Sequence, residues 1–255
     1  MSYAHQSFLS NKVIDMKKLI TFTIIAIMSL TSCGYVETYK EHLVRPQFEN
    51  QHSMIVHQSS FNFHPSYKVF TPEYGIFMLP EDKDNGTIYD IRKSYSLFED
   101  KWTIKNTITG NVLTLTDEGQ NDKKRDICKI TDPTTDSTIV TEQTFIEKYT
   151  DYTVTVQDNS SDSTDDTAQT KYQVSITFNE RDPKSPSARE LHSTVMTFSQ
   201  NGEAVLKLFK QQQYFKNNIE IFINDDTCQL TDDQCVALGV WFDQCLKNIG
   251  IAYRD

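Results

Sequence analysis

From Ser53 onward, short apolar runs rich in Val, Ile, Thr, Tyr and Phe recur between turn residues. That is the pattern of β-strands. Tyr67–Phe70 and Tyr74–Leu79 are the first runs; Asp84-Asn85-Gly86 then supplies a turn, and Thr87–Ile91 follows. Asn and Gly suit such turns because both tolerate positive φ. Trp102, Ile104 and Ile108 alternate with polar residues, Thr109-Gly110-Asn111 turns the chain, and Leu113 and Leu115 alternate again. This reads as a hairpin with one buried face. Asp126–Thr131 is a further strand, and Asp132-Pro133 breaks it. Ser137–Thr150 fits strand and helix alike. Tyr152, Val154 and Val156 begin a clean strand that continues, across the polar stretch Gln157–Thr170, into Tyr172, Val174, Ile176 and Phe178. After a second long connection at Arg181–Arg189, Leu191–Phe198 and Ala204–Phe209 flank Asn201-Gly202. Asn-Gly between apolar runs is a strong hairpin signal. Ile219, Ile221 and Ile223 make the last strand.

The chain closes with a helix over 232–249. Thr231 is placed to cap it, with Gln234 as the capping-box partner three residues on. Asp232 and Asp233 favour the positive end of the helix dipole, Lys247 the negative end, and Gly250 can end the helix. Cys235, Leu238, Phe242, Cys245 and Ile249 share one face, while Asp233, Asp243, Gln244 and Lys247 point elsewhere. The helix should therefore lay its cysteine-bearing stripe on the sheet. The expected fold is α+β: a mostly antiparallel sheet, meander or barrel-like, with one C-terminal α-helix packed on it, forming a single domain over 53–255.

The N-terminal region has a different character. Met16-Lys17-Lys18 precedes an apolar run from Leu19 to Leu30, which ends in Leu30-Thr31-Ser32-Cys33. A core of twelve residues falls short of the ~20 that span a bilayer. It matches the core of an export signal. Leu-Thr-Ser-Cys resembles the lipobox of bacterial lipoproteins. The resemblance implies cleavage before Cys33, acylation of that cysteine, and an envelope location tied to a membrane. Gly34 after the cysteine implies the outer membrane in a Gram-negative cell. Residues 16–32 are then the signal and 33–52 a lipidated tether. Residues 1–15 precede the basic opening at Met16 and read as a mis-assigned upstream start.

Beyond Cys33 the chain keeps 22 basic residues (25 less Lys12, Lys17 and Lys18) and 34 acidic ones (35 less Asp15), a formal net charge of −12. Such a surface repels nucleic acid. No metal site is expected: His42, His52, His57 and His64 lack compact ligand spacing, and His52 and His57 have opposite strand parity. The loop carrying Asp158, Asp162, Asp165 and Asp166 lacks the central Gly and terminal Glu of a calcium loop. No Gly-x-Ser-x-Gly elbow, phosphate-cradling glycine loop or His-Glu-x-x-His motif is present. His192 is the sole histidine beyond His64 and reads as structural. No cofactor is implied.

Four cysteines follow Cys33: Cys128, Cys228, Cys235 and Cys245. An even number in an exported chain reads as two disulfides. Ten helical residues separate Cys235 from Cys245, a rise of ~15 Å. A disulfide needs Cα atoms within ~7 Å. The expected pairs are therefore Cys228–Cys235 and Cys128–Cys245. Neither has the Cys-x-x-Cys spacing of a redox catalyst.

The reading is a lipid-anchored cell-envelope protein of non-enzymatic binding type, whose partner is another envelope protein. The second reading is a carrier of a small apolar ligand. Many short antiparallel strands with a C-terminal helix and a helix-to-strand disulfide are similar in outline to the lipocalins. Those proteins open with Gly-x-Trp, however, whereas Trp102 follows Glu99-Asp100-Lys101. A third reading, an envelope hydrolase, has no motif behind it.

Overall fold

The computed structural model describes residues 48–58, 66–70, 88–95, 100–121, 125–145, 148–159, 169–179, 193–211 and 217–248. The export signal, Cys33, His42, His64, His192, the run Tyr74–Leu79 and most of the acidic loop lie outside them.

Twelve strands form one closed antiparallel barrel. They are β1 (Gln51–Gln58), β2 (Ser66–Phe70), β3 (Tyr89–Tyr95), β4 (Asp100–Asn106), β5 (Val112–Gln120), β6 (Asp126–Asp132), β7 (Ser137–Phe145), β8 (Lys148–Asp158), β9 (Gln169–Asn179), β10 (Ser193–Gln200), β11 (Glu203–Gln211) and β12 (Asn217–Asn224). Each pairs with its sequence neighbours, and β1 closes the ring on β12, with Val56 opposite Ile219. The ambiguous stretch after Ser137 is a strand that alternates buried and half-buried residues. The expected Asn-Gly hairpin forms, with φ of +52° at Asn201 and +87° at Gly202. One hairpin differs in detail. Ile108 sits in the β4–β5 turn and is 77% exposed. The buried position continuing the Trp102–Ile104 alternation is Asn106.

Alternation sorts the wall into two faces. Trp102, Ile104, Leu113, Leu115, Ile130, Ile139, Val154, Tyr172 and Val174 are buried on the inner face. Lys105, Lys129, Thr131, Lys171, Gln173 and Ser175 are exposed on the outer face. A membrane-spanning barrel carries its apolar band outward; here the polarity is the reverse. On the outer side of β11, β12 and β1, Val205, Phe209, Phe222 and Ile55 are buried as well. Lys207 stands over the Phe48 ring there, 4.6 Å from its centroid.

The single described helix, α1 (Asp232–Asn248), packs on the sheet with Cys235, Leu238, Phe242 and Cys245 buried, as expected. Its burial is not confined to that stripe, however. It lies in the lumen, against β1, β11 and β12 on one side and β4, β5 and β6 on the other. Cys235 through Leu238, Val240 through Phe242, Cys245 and Leu246 are all buried, and so are Asp233, Gln234 and Asp243. A barrel of twelve strands is wider than the eight-stranded size that side chains alone can fill. A helix ~10–12 Å across fills the excess. At Gly239 an added Cβ would stand 3.1 Å from Ile221 Cδ1 and 3.5 Å from Val56 Cγ2, so the helix approaches β12 and β1 closely at that point.

The polar residues that sequence reasoning turned outward are instead met by polar groups on the wall. Lys210 of β11 ion-pairs with Asp243, which also accepts from the Tyr67 hydroxyl at 2.6 Å. Burial, with the Asp243 charge beside it, pushes the Tyr67 hydroxyl well above its usual range. Asp233 accepts from the Tyr89 hydroxyl, from Asn106 Nδ2 at 2.8 Å and from Asn111 Nδ2 at 3.0 Å.

Removing one partner of a buried pair leaves an uncompensated charge, which costs about 3–5 kcal/mol. Lys210→Met should lower the unfolding free energy by about that amount, read from urea denaturation. Lys210→Met with Asp243→Leu should recover most of the loss, because the orphaned charge goes with it. Equal losses in the single and double variants would show that the pair does not act as a unit.

Candidate functional site

The two ends of α1 present different chemistry. At its N-terminal end the capping box is in place. Gln234 N–H donates to Thr231 Oγ1 at 3.3 Å, and Thr231 N–H donates to Gln234 Oε1 at 3.1 Å. The remaining amide nitrogen of Gln234 donates to Asp132 Oδ2 at 3.2 Å and to Ser137 Oγ at 3.1 Å. One side chain thus closes the helix start and ties it to the β6–β7 turn.

His52, near the start of β1, bridges the connection 225–231 and the helix. Its Nδ1 meets Asp225, and its Nε2 lies 3.0 Å from Asp232 Oδ1. Partial burial alone would depress the imidazole pKa. The hydrogen bonds and charges of Asp225 and Asp232 outweigh that effect, and the net shift is upward. His57 has the opposite parity, as expected, and meets Asn218 Oδ1 at 2.5 Å. Cys228 lies in the same connection. It is half-buried, whereas Cys235, in the first turn of α1, is wholly buried.

At the C-terminal end a pocket opens beside α1. Asp100, Asp117 and Asp126 line it together with Trp102, Leu115, Tyr152 and Trp241, and Cys128 and Cys245 both reach it. Tyr152 and Phe198 each meet the Trp241 ring edge-on, with centroids 5.2 and 6.3 Å away. Lys93 stands 5.7 Å from the Trp102 centroid and ion-pairs with Asp100 at 2.7 Å. Burial, then Asp117 and Asp126, pushes the Cys128 thiol up to about 12. Burial also holds Cys245 well above its usual value. Neither is a nucleophile near neutrality. The cavity measures about 30 Å³, room for a water or two. A pocket for a small-molecule ligand takes roughly 300–1,000 Å³.

Of the expected cysteine partners, Cys128 and Cys245 line one pocket, and Cys228 and Cys235 flank the start of α1. All four are free thiols in this structure, with no pair at bonding distance. The single-stripe reading of the helix missed Asn106, Asp132 and Lys210, which bind its polar residues. Their signal was available, since each is a polar residue on an inward position of an otherwise apolar alternation. Among the described residues no group of three or more His, Cys, Asp and Glu is placed to hold a metal ion. Comparison with protein-family models, characterised proteins and solved structures finds no match to this chain.

A histidine whose pKa is raised on folding stabilises the fold below its unfolded value, near 6.5, and loses that contribution as pH rises through the folded value. His52→Gln should therefore destabilise the barrel in urea titrations at pH 5.5 and become nearly silent at pH 9. A deficit that grew with pH would reverse the assignment.

Proposed function

We propose that this chain is a lipid-anchored cell-envelope protein that works as a non-enzymatic binding module, offering the rim and outer wall of a plugged barrel to another envelope protein. The observation that carries this is the filled lumen. Helix α1 occupies the space in which a barrel of this size could hold cargo, and the pocket beside it measures only about 30 Å³. Contact with a partner then falls to the outside. The formal net charge of −12 beyond Cys33, derived above, suits a cationic partner surface. The anchor reading rests on the Leu-Thr-Ser-Cys33 signal alone. Two or three acyl chains hold a protein to a bilayer stably, whereas one chain is marginal.

The closed apolar barrel favours a second reading, a lipocalin-like carrier of a small apolar ligand. That reading requires α1 to leave the lumen and unpair Asp233 and Asp243 from the wall. An enzyme has less support, because the pocket thiols are held protonated.

Palmitate labelling and cell fractionation test the anchor: label should enter the chain in membranes, and Cys33→Ser should lose it and turn soluble. Native mass spectrometry of the protein released from envelopes tests the module. The mass of the chain alone, with cross-linking to one envelope protein that is abolished by charge-reversing substitutions at the rim, is expected. A co-purifying small apolar molecule would replace the module with the carrier.

A further inference from the structure

His52 stands at one lip of the barrel with both ring nitrogens engaged. Its Nδ1 meets Asp225, and its Nε2 lies 3.0 Å from Asp232 Oδ1. A neutral imidazole carries one N–H and can donate to one carboxylate; only the imidazolium donates from both nitrogens. The geometry therefore calls for the cation. Asp225 directly follows β12, and Asp232 is the first residue of α1. One ring thus holds the two ends of the connection 226–231 together.

Both ends are also secured without His52. On the strand side the Asp225 N–H donates to Asn50 O at 3.1 Å, and Asn50 Nδ2 donates to Asp226 Oδ1 at 3.0 Å. On the helix side α1 is fixed by Asp233, by Asp243 and by its capping box. The stretch between is held more sparsely. The Thr227 and Cys228 N–H groups both donate to Asn224 O, at 3.4 and 2.9 Å. Thr227 Oγ1 is buried with no partner among the described residues. Leu230 belongs to the buried apolar cluster.

We propose that His52 is a pH-operated clip at this mouth of the barrel: as the imidazolium it draws the two ends of the connection 226–231 together, and as the neutral ring it lets go of Asp232 and the connection opens locally. Asp225 is the carboxylate that keeps its bond, because Asn50 already fixes its backbone. The neutral ring then retains its Nδ1–H and turns the Nε2 lone pair toward Asp232. His52 is 43% exposed, so it exchanges protons with solvent while the barrel stays closed. Partial burial opposes its charge, but Asp225 and Asp232 outweigh this, so the clip opens on the alkaline side of the ordinary histidine value. Titratable groups on the surrounding segments are Glu49 before β1, Asp225, Asp226 and Cys228 in the connection, and Asp232 and Asp233 on α1; β12 presents Ile223 opposite the ring. The carboxylates titrate near pH 4, which leaves Cys228 as the group to separate from His52.

Amide hydrogen exchange on the full chain at pH 5.5 and pH 9, with each amide referred to its intrinsic rate at that pH, reads the opening. Protection at Thr227 and Cys228 should fall on the order of fivefold at the higher pH, the size of one exposed ion pair, while strands β5 to β8 keep theirs. Nitrogen-15 NMR should find both His52 ring nitrogens protonated at pH 5.5 and Nδ1 alone at pH 9. His52→Gln should abolish the pH dependence at the connection, and Cys228→Ser should leave it in place. Protection of the connection that is independent of pH would overturn the proposal. So would a dependence that survives His52→Gln or vanishes in Cys228→Ser, or a ring singly protonated at pH 5.5. If His52→Gln fails to fold, the nitrogen-15 titration and the exchange of the unaltered chain decide it.

Discussion

The structure depends on burying carboxylates without leaving them alone. A ring of twelve strands closes around a lumen too wide for its own side chains, and α1 supplies the missing volume. That helix carries Asp233 and Asp243, and both are buried. An unpaired buried charge costs several kcal/mol. The helix is therefore acceptable only where Lys210 and Tyr67 meet one carboxylate and Tyr89, Asn106 and Asn111 meet the other. Ten residues separate the two, a rise of ~15 Å. Matching both at once fixes the depth and the rotation of the helix. Sliding it by a turn, or rotating it by one residue, strands two charges in an apolar lumen. Such contacts add little net stability compared with well-packed apolar groups. Their contribution is to select one placement from many that packing alone would tolerate.

Most of the wall was legible in the sequence because a half-buried strand writes its period of two directly into side-chain polarity. Tyr152, Val154 and Val156 facing Tyr172, Val174 and Ile176 form a hairpin that the alternation states outright. Ring closure was not legible. Nothing local to β1 and β12 says that they pair, since their contact joins the two ends of the meander. The helix ends were legible, down to the reciprocal Thr231–Gln234 bonds, because capping is a local interaction.

The helix surroundings were misread for an instructive reason. Polar residues off the main stripe were turned away from the sheet, as they would be for a helix lying on an open one. Inside a barrel there is no solvent side. Asn106 and Lys210 are where the correction could have been found. Each follows two apolar inward residues, Trp102 and Ile104 or Leu206 and Leu208, and breaks the alternation with a group that must be satisfied. Polar breaks on a buried face, read together with polar residues on a helix, point to a helix enclosed by that face. Ile108, the apolar residue next to Asn106's place in the pattern, attracted the hydrophobic assignment and is exposed in the turn.

Filling the lumen also separates the chemistry of the molecule into two ends that share one helix. Near the helix start, hydrogen-bond donors and a protonatable imidazole surround a thiol, and its anion is favoured. Near the helix end, burial, with Asp117 opposite Cys128 on the neighbouring strand and Asp126 two residues before it, disfavours the anion of that thiol. The same residue type thus has opposite character near the two ends of one helix. Burial pushes both sulfurs toward the neutral form; at Cys128 the neighbouring carboxylates add to that effect, and at Cys228 the neighbouring groups offset it. The helix dipole acts in the same sense as these side chains, favouring negative charge at its start and opposing it at its end. Because the helix cannot shift without unpairing Asp233 and Asp243, this polarity is a fixed property of the fold. The wall, the buried charges and the helix are accordingly one arrangement: the pairs that set the helix depth also fix where Cys235 and Cys245 stand in the lumen.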